Sequence, residues 1–167
     1  MDLPERKPNR IEHYDYNQIG AYFITICTQK RKCLLSQINV GTGVLDCPQI
    51  QLLKHGEIAD KYIRQLNDFY EHISVDKYVI MPDHIHILLA VYNGQSGTPV
   101  PTRDNKNSAV SMFVSTLKRF CNKEYGENIW QRSFYDHVIR NQQDYNEIWQ
   151  YIENNPLKYT LKKQGNL

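Results

Sequence analysis

Two histidines two residues apart, His84 and His86, lie in the β-forming run Met81-Pro82-Asp83-His84-Ile85-His86-Ile87-Leu88-Leu89-Ala90. Residues i and i+2 of a strand face the same way. The two imidazoles therefore project side by side, while Ile85 turns into the opposite, packed face. Neutral imidazole is the commonest metal ligand, so two on one rigid strand make half a metal site. The same pair also fits a core histidine beside a surface one. Toward the C-terminus, Tyr151 and Asn155 are four residues apart and share one face of a helix. A phenol is a poor nucleophile at neutral pH, its unperturbed pKa being about 10, and a nearby divalent cation or a positioned base corrects that. Asn155 offers an amide oxygen that suits Mg²⁺ or Mn²⁺ as a third ligand beside two imidazoles. Such a cation polarises a phosphoryl oxygen and offsets charge in the transition state. Two histidines, an amide and a tyrosine thus form a phosphoryl-transfer constellation. The plainer alternative makes Tyr151 a core aromatic and Asn155 the turn residue before Pro156.

The rest of the chain bounds what can carry these groups. At 167 residues it reads as one domain over residues 1–167, long enough for a well-buried core. Composition is that of an ordinary globular protein, 41% hydrophobic and 23% charged. No apolar run approaches the length of a membrane span, and the N-terminus lacks the apolar centre of a signal peptide. A cytoplasmic location follows as the default. The four cysteines, Cys27, Cys33, Cys47 and Cys121, form no C-x-x-C pair, so reduced thiols without a catalytic role are expected. Net charge is +2, which argues neither for nor against nucleic acid. Small basic clusters stand at Lys30-Arg31-Lys32, at Lys118-Arg119 and at Lys158…Lys162-Lys163, and each also fits a solvated surface.

Local patterns predict the elements. Residues 1–18 are polar, contain Pro4 and Pro8, and read as an arm. Gly20–Thr28 is a β-branched and aromatic run and predicts a strand. Residues 33–48 suggest a small hairpin or irregular excursion around Gly41-Thr42-Gly43. The apolar spacing of Ile50, Leu53, Ile58, Tyr62, Ile63 and Leu66 predicts a helix from about Gln49 to Asn67, despite Gly56. Strands follow at about Ser74–Met81 and His84–Val91, with a bend or bulge expected at Pro82-Asp83. Residues 93–107 form a Gly, Pro and polar loop. Ser108 caps a helix whose apolar face holds Val110, Phe113, Val114, Leu117 and Phe120, and Gly126 stops it. Ile129–Arg140 reads as a strand, and a last helix runs from about Gln143 to Asn154, closed near Pro156. The order matches an α+β, ferredoxin-like split βαβ sandwich, with an antiparallel sheet and a C-terminal helix carrying the tyrosine. Such a fold hosts many activities, so function rests on the site.

The segment Val79-Ile80-Met81-Pro82-Asp83-His84-Ile85-His86 resembles the HUH motif of the single-tyrosine transposases, with Ile85 as the bulky apolar residue. Trp130-Gln131-Arg132-Ser133-Phe134-Tyr135-Asp136-His137-Val138-Ile139-Arg140-Asn141 resembles a strand of their REP-associated branch. Asp144-Tyr145 and Tyr151-Ile152-Glu153-Asn154-Asn155-Pro156-Leu157-Lys158 are similar to that branch's tyrosine helix. Tyr14-Asp15-Tyr16 and Gly20–Thr28 resemble its first strand, so the likeness runs over most of residues 10–160. The resemblance implies a metal-dependent nickase and strand transferase of single-stranded, hairpin-containing DNA. His84, His86 and Asn155 would hold the cation, Mg²⁺ or Mn²⁺. Tyr151 would attack the scissile phosphate and become joined to the DNA 5′ end. Simpler insertion-sequence transposases commonly carry glutamine four residues after the tyrosine, and the shorter Asn155 agrees with the REP-associated branch. Relatives of these kinds work as homodimers or as monomers.

Other residues compete for roles. Tyr145 is a second tyrosine close in sequence but has no amide four residues on, and His137 could stand near the site as a supporting or DNA-contacting group. Arg132, Arg140, Lys118 and Arg119 are the candidate DNA contacts. Two further function classes fit the same residues: a structured-nucleic-acid-binding module without cleavage, and a metal-dependent phosphoesterase that uses water.

Overall fold

The computed structural model describes residues 18–39, 47–92 and 108–163. The N-terminal arm, save its last residue, the 93–107 loop and Gly41-Thr42-Gly43 lie outside the described residues. The elements are β1 (Gly20–Cys27), β2 (Ser36–Asn39), β3 (Gln49–Leu52), α1 (Lys54–Phe69), β4 (Ile73–Ile80), β5 (His84–Val91), α2 (Ala109–Tyr125), β6 (Tyr135–Ile139) and α3 (Gln142–Lys163). Four strands form one sheet in the order β4-β5-β1-β6, with every neighbouring pair antiparallel. Leaving aside the separate β2–β3 ribbon, this is the β-α-β-β-α-β arrangement of a ferredoxin-like sandwich. Among the described residues, no helix is long and apolar enough to cross a membrane.

Alternation along β1 and β5 feeds two cores. Tyr22, Ile24 and Ile26 of β1, with Ile85, Ile87, Leu89 and Val91 of β5, pack with α1 and α2 on one face. Phe23 of β1, Val79 of β4 and Leu88 of β5 turn to the other face, where Ile152, Ile148 and Tyr145 of α3 cover them. α2 is capped as its sequence requires. The Ser108 hydroxyl accepts from the Ser111 N–H at 3.2 Å, and Gly126 ends the helix at φ 80°, a conformation glycine adopts without a Cβ penalty.

Four expectations need correction. Gln49–Leu52 is a strand, because it pairs with β2 from Ser36↔Leu52 to Asn39↔Gln49 before α1 begins. Its apolar residues fit a strand as well as a helix over so short a stretch. Pro82-Asp83 is a tight two-residue turn: Met81 N–H donates to the His84 carbonyl at 2.8 Å, and Ile80 pairs with Ile85. The irregularity falls instead between Val75 and Lys77. The last strand starts at Tyr135, and Trp130 makes only an isolated bridge to Thr28. Between them, the Lys118 ammonium donates to the carbonyls of Gln131 at 2.8 Å and Ser133 at 2.9 Å, holding that stretch off the ladder.

The final correction concerns α3, which runs through Pro156 to Lys163. Proline inside a helix forfeits one hydrogen bond and costs about 3 kcal/mol. Ile152, Asn155 and Thr160 are buried around that point. Full burial of one aliphatic side chain contributes about 1.5–3 kcal/mol, so packing on the sheet outweighs the local preference to stop.

α1 passes so close to Leu35 that a Cβ on Gly56 would collide with the Leu35 carbonyl. That carbonyl also accepts from Leu53 N–H at 2.9 Å, which fixes its position. Gly56→Ala should therefore lower unfolding stability by about 1–3 kcal/mol, despite alanine's better helix propensity. A urea midpoint equal to or above wild type would show that the contact yields freely.

Candidate active site

β5 turns His84 and His86 toward the α3 face of the sheet, with Ile85 buried on the opposite face as the alternation requires. The two Nε2 atoms approach to 3.1 Å. Each ring is steered from behind. His84 Nδ1 lies 2.6 Å from Asp83 Oδ1, and His86 Nδ1 lies 2.8 Å from Thr25 Oγ1 of β1. The second contact follows from register, since Thr25 is the direct partner of His86 across the β1–β5 ladder.

This geometry decides the proton positions at His84. A carboxylate only accepts, so His84 Nδ1 carries hydrogen and its Nε2 presents a lone pair. Thr25 can donate or accept. When its hydroxyl donates to His86 Nδ1, His86 Nε2–H donates to His84. When it accepts, the two Nε2 lone pairs face each other, and a shared hydrogen-bond donor or a cation relieves their repulsion. Two neutral imidazole nitrogens presented side by side are donors of the type that would hold a divalent cation.

Burial holds both rings neutral. Loss of solvent pushes the His86 pKa down to about 3, with the neighbouring His84 and Arg31 adding to the effect. The His84 pKa is also lowered by burial, with Asp83 opposing. The close Asp83–His84 contact is therefore a hydrogen bond donated by a neutral imidazole to the carboxylate at neutral pH. Arg31 Nη1 reaches the other Asp83 oxygen at 3.4 Å. It does so from a turn in which Lys30 and Arg31 both have positive φ, 52° and 53°, a costly backbone for residues with side chains.

α3 brings the tyrosine to this pair. The Tyr151 ring stands edge-on to His86 at 5.3 Å between centroids and to Phe23 at 5.8 Å. Tyr151 thus meets His86 of its own chain. It remains 36% exposed, open to a macromolecular ligand, whereas Asn155 is only 7% exposed. Lys158 places its ammonium 5.2 Å from the centre of the Tyr151 ring. Tyr145, the competing tyrosine, instead donates to Asp76 at 2.9 Å and is held there, its pKa pushed up to about 12 by burial and that bond.

His137 lies on the same sheet face as the pair, opposite Phe23, and its Nε2 is bonded to Asp144 at 2.9 and 3.0 Å. The candidate DNA contacts do not gather at the histidines. α2 covers the opposite sheet face, so Lys118 and Arg119 project from there. Two carbonyls engage the Lys118 ammonium, and burial lowers its pKa to about 8. Arg132 is exposed beside it, and Arg140 is exposed at the end of β6. Sequence reading missed Thr25, Phe23 and Arg31 as parts of the site. Asp83 was visible as the residue preceding His84, but its hydrogen bond was not.

A family model described as IS200-like transposase matches residues 51–155, which span His84, His86, Tyr151 and Asn155. The chain is 29% identical over 169 aligned positions to an uncharacterized protein of Haemophilus influenzae, covering 93% of this chain and 90% of that one. It is 27% identical to the REP-associated tyrosine transposase of Escherichia coli K12, over 89% of this chain and 73% of that one. Its fold is similar to a REP-associated tyrosine transposase solved bound to a REP hairpin, with TM-score 0.58 and 21% identity, covering 90% of this chain and 74% of that one. With the matched region spanning most of the chain and both histidines, the tyrosine and the asparagine inside it, the protein belongs to the IS200-like transposase family, enzymes that act on DNA.

Proposed function

We propose that this transposase nicks and rejoins single-stranded DNA carrying a hairpin, through a phosphotyrosine formed on Tyr151. The observation that carries the reading is the exposed Tyr151 ring set against His86, whose Nε2 converges with that of His84. An oxygen nucleophile beside two neutral imidazoles is a donor set suited to metal-assisted phosphoryl transfer. The hairpin partner follows from the solved relative of similar fold.

His84, His86 and Asn155 would hold a divalent cation, Mg²⁺ or Mn²⁺, which when bound polarises a phosphoryl oxygen. The protein's own groups do the rest. Tyr151 Oη attacks the scissile phosphorus as its proton leaves to solvent, the phosphorus–O3′ bond breaks, and the freed 3′ oxygen takes up a proton. The DNA 5′ end is left as a tyrosyl ester. Attack by a 3′-hydroxyl on that ester reverses the step and rejoins DNA without ATP. Lys158 sets a positive charge over the attacking ring, where it offsets charge developing on the phenolate and the phosphate. Asp83 and Thr25 hold the two rings in orientation.

Incubating labelled hairpin DNAs bearing single-stranded flanks with Mn²⁺ should give a covalent protein–DNA adduct on denaturing gels. Chelation should abolish it, and Tyr151→Phe should reduce it below about one-thousandth of wild type. Cleavage surviving in Tyr151→Phe would assign the nucleophile to water, and binding without any cleavage would leave a recognition module.

Thr25→Val and Asp83→Asn should each weaken Mn²⁺ binding about 10- to 100-fold by calorimetry, as losses behind a metal-bound imidazole do. Unchanged affinity in both would remove the cation from the histidine pair. The metal-free chain has a further signature. The unfolded His86 protonates near pH 6.5 and the folded one near 3, so its contribution to stability is complete above 6.5 and is lost as pH falls toward 3. His86→Gln should flatten that part of the stability profile, and a profile of unaltered slope would count against a buried neutral ring.

A further inference from the structure

Four residues of α3 recur at four-residue steps: Tyr151, Asn155, Tyr159 and Lys163. Because α3 continues through Pro156, each of the four neighbours the next along the helix, the row turning by about 40° at every step. The first two belong to the histidine site. The last two line a cavity of about 440 Å³ between α3 and the β2–β3 ribbon, together with Cys33, Ser36, Asn39 and Pro82. A rise of 1.5 Å per residue sets Tyr159 about 12 Å along the helix from Tyr151.

The cavity is joined rigidly to the histidines. Its wall residue Pro82 stands two positions before His84. The Pro82 carbonyl accepts from Leu35 N–H at 3.0 Å, and the Ser36 hydroxyl donates to the Ile80 carbonyl at 2.8 Å. Whatever occupies the cavity is therefore held at a set distance from Tyr151. Its chemistry is mixed. Tyr159 brings an aromatic ring whose hydroxyl is 4.0 Å from Cys33 Sγ, and the Lys163 ammonium lies 5.1 Å from that ring's centre. Asn39 contributes an exposed amide, tethered through its Nδ2 to Gln51 Oε1 at 3.2 Å. A stacking surface, an amide and a cation are the groups with which proteins hold single-stranded nucleotides. The volume also lies in the range of small-molecule pockets.

We propose that this cavity holds one unpaired nucleotide of the strand flanking the scissile phosphate, its base against Tyr159, its edge read by Asn39 and its phosphate met by Lys163. The inference rests on the strand-transfer reading for its ligand and deepens that reading by naming a subsite. A base entering beside Tyr159 moves the Lys163 ammonium from the ring toward the rim, which its exposed stem allows. The α3 stripe then acts as a ruler: Tyr151 takes the phosphate, and Tyr159, two turns on, takes a base at a fixed remove.

The test is an abasic scan. Hairpin DNAs with single-stranded flanks on both sides carry one abasic site at a time, and binding to the full chain is read by fluorescence anisotropy in a Tyr151→Phe background. One flank position should show about tenfold weaker binding when its base is removed. Tyr159→Leu keeps the apolar bulk and should erase that position's signal, Tyr159→Trp should retain it, and Lys163→Ala should weaken binding while leaving the scan's shape. A scan of the same shape in wild type and Tyr159→Leu, or no sensitive position at all, would overturn the subsite. Covalent adduct formation by the Tyr151-containing protein is followed in parallel. Adduct with a flat scan removes the subsite alone. A Tyr159-dependent scan without adduct keeps the subsite and removes the strand-transfer reading. Absence of both DNA binding and adduct removes both.

Discussion

The antiparallel pairing of β1 with β5 is the constraint on which the rest of the structure depends. Both strands are central and covered on both faces, so their apolar residues are divided between two cores. A slip of one residue would exchange the faces, sending Ile85 and Ile87 toward α3 and the imidazoles into the core beneath α1 and α2. Hydrophobic burial therefore holds the register, and the register sets Thr25 opposite His86. The chemistry inherits its precision from the packing of residues that take no part in it.

That inheritance has a cost. A nearly buried imidazole is desolvated, and His86 keeps company with Phe23 and Tyr151 rather than water. Burial disfavours its charged form, which leaves a ring fit to ligate but unable to act as an acid near neutral pH. Each Nδ1 is satisfied by a side chain from a different source, Thr25 across the ladder and Asp83 in the turn, so neither ring is free to rotate away. The strained Lys30–Arg31 turn brings a guanidinium to Asp83 and completes this chain of orientation from the surface inward.

α3 connects the site to the remainder of the protein. Its burial on the second sheet face outweighs the break that Pro156 favours, and the uninterrupted helix carries a gradually turning row of side chains from Tyr151 to Lys163. A helix ended at Asn154 would have placed Asn155 in a turn and left Tyr159 without a fixed relation to the nucleophile. Its own apolar patterning is weak, because so many of its residues face solvent or the site. Tertiary packing rather than intrinsic propensity keeps it whole.

Much was legible in the residues themselves. Period-two alternation through His84-Ile85-His86 determined that the imidazoles share a face, because strand geometry admits no other outcome. Four-residue spacing did the same for Tyr151 and Asn155, and Ser108 and Gly126 marked the ends of α2 through local backbone chemistry. Short apolar runs were ambiguous: Gln49–Leu52 looked helical until β2 supplied a partner, and Ile129–Arg140 looked like one strand until Lys118 drew its first half aside. Thr25, Phe23 and Arg31 carry no signature in sequence, since each acts only through a partner 52 to 128 positions away, as in Thr25 with His86, Arg31 with Asp83 and Phe23 with Tyr151. Sequence thus determined which groups could do chemistry and which way each faced on its own element. Only the tertiary structure decided which elements meet, because strand register and the path of α3 through Pro156 are set by long-range burial that no local pattern encodes.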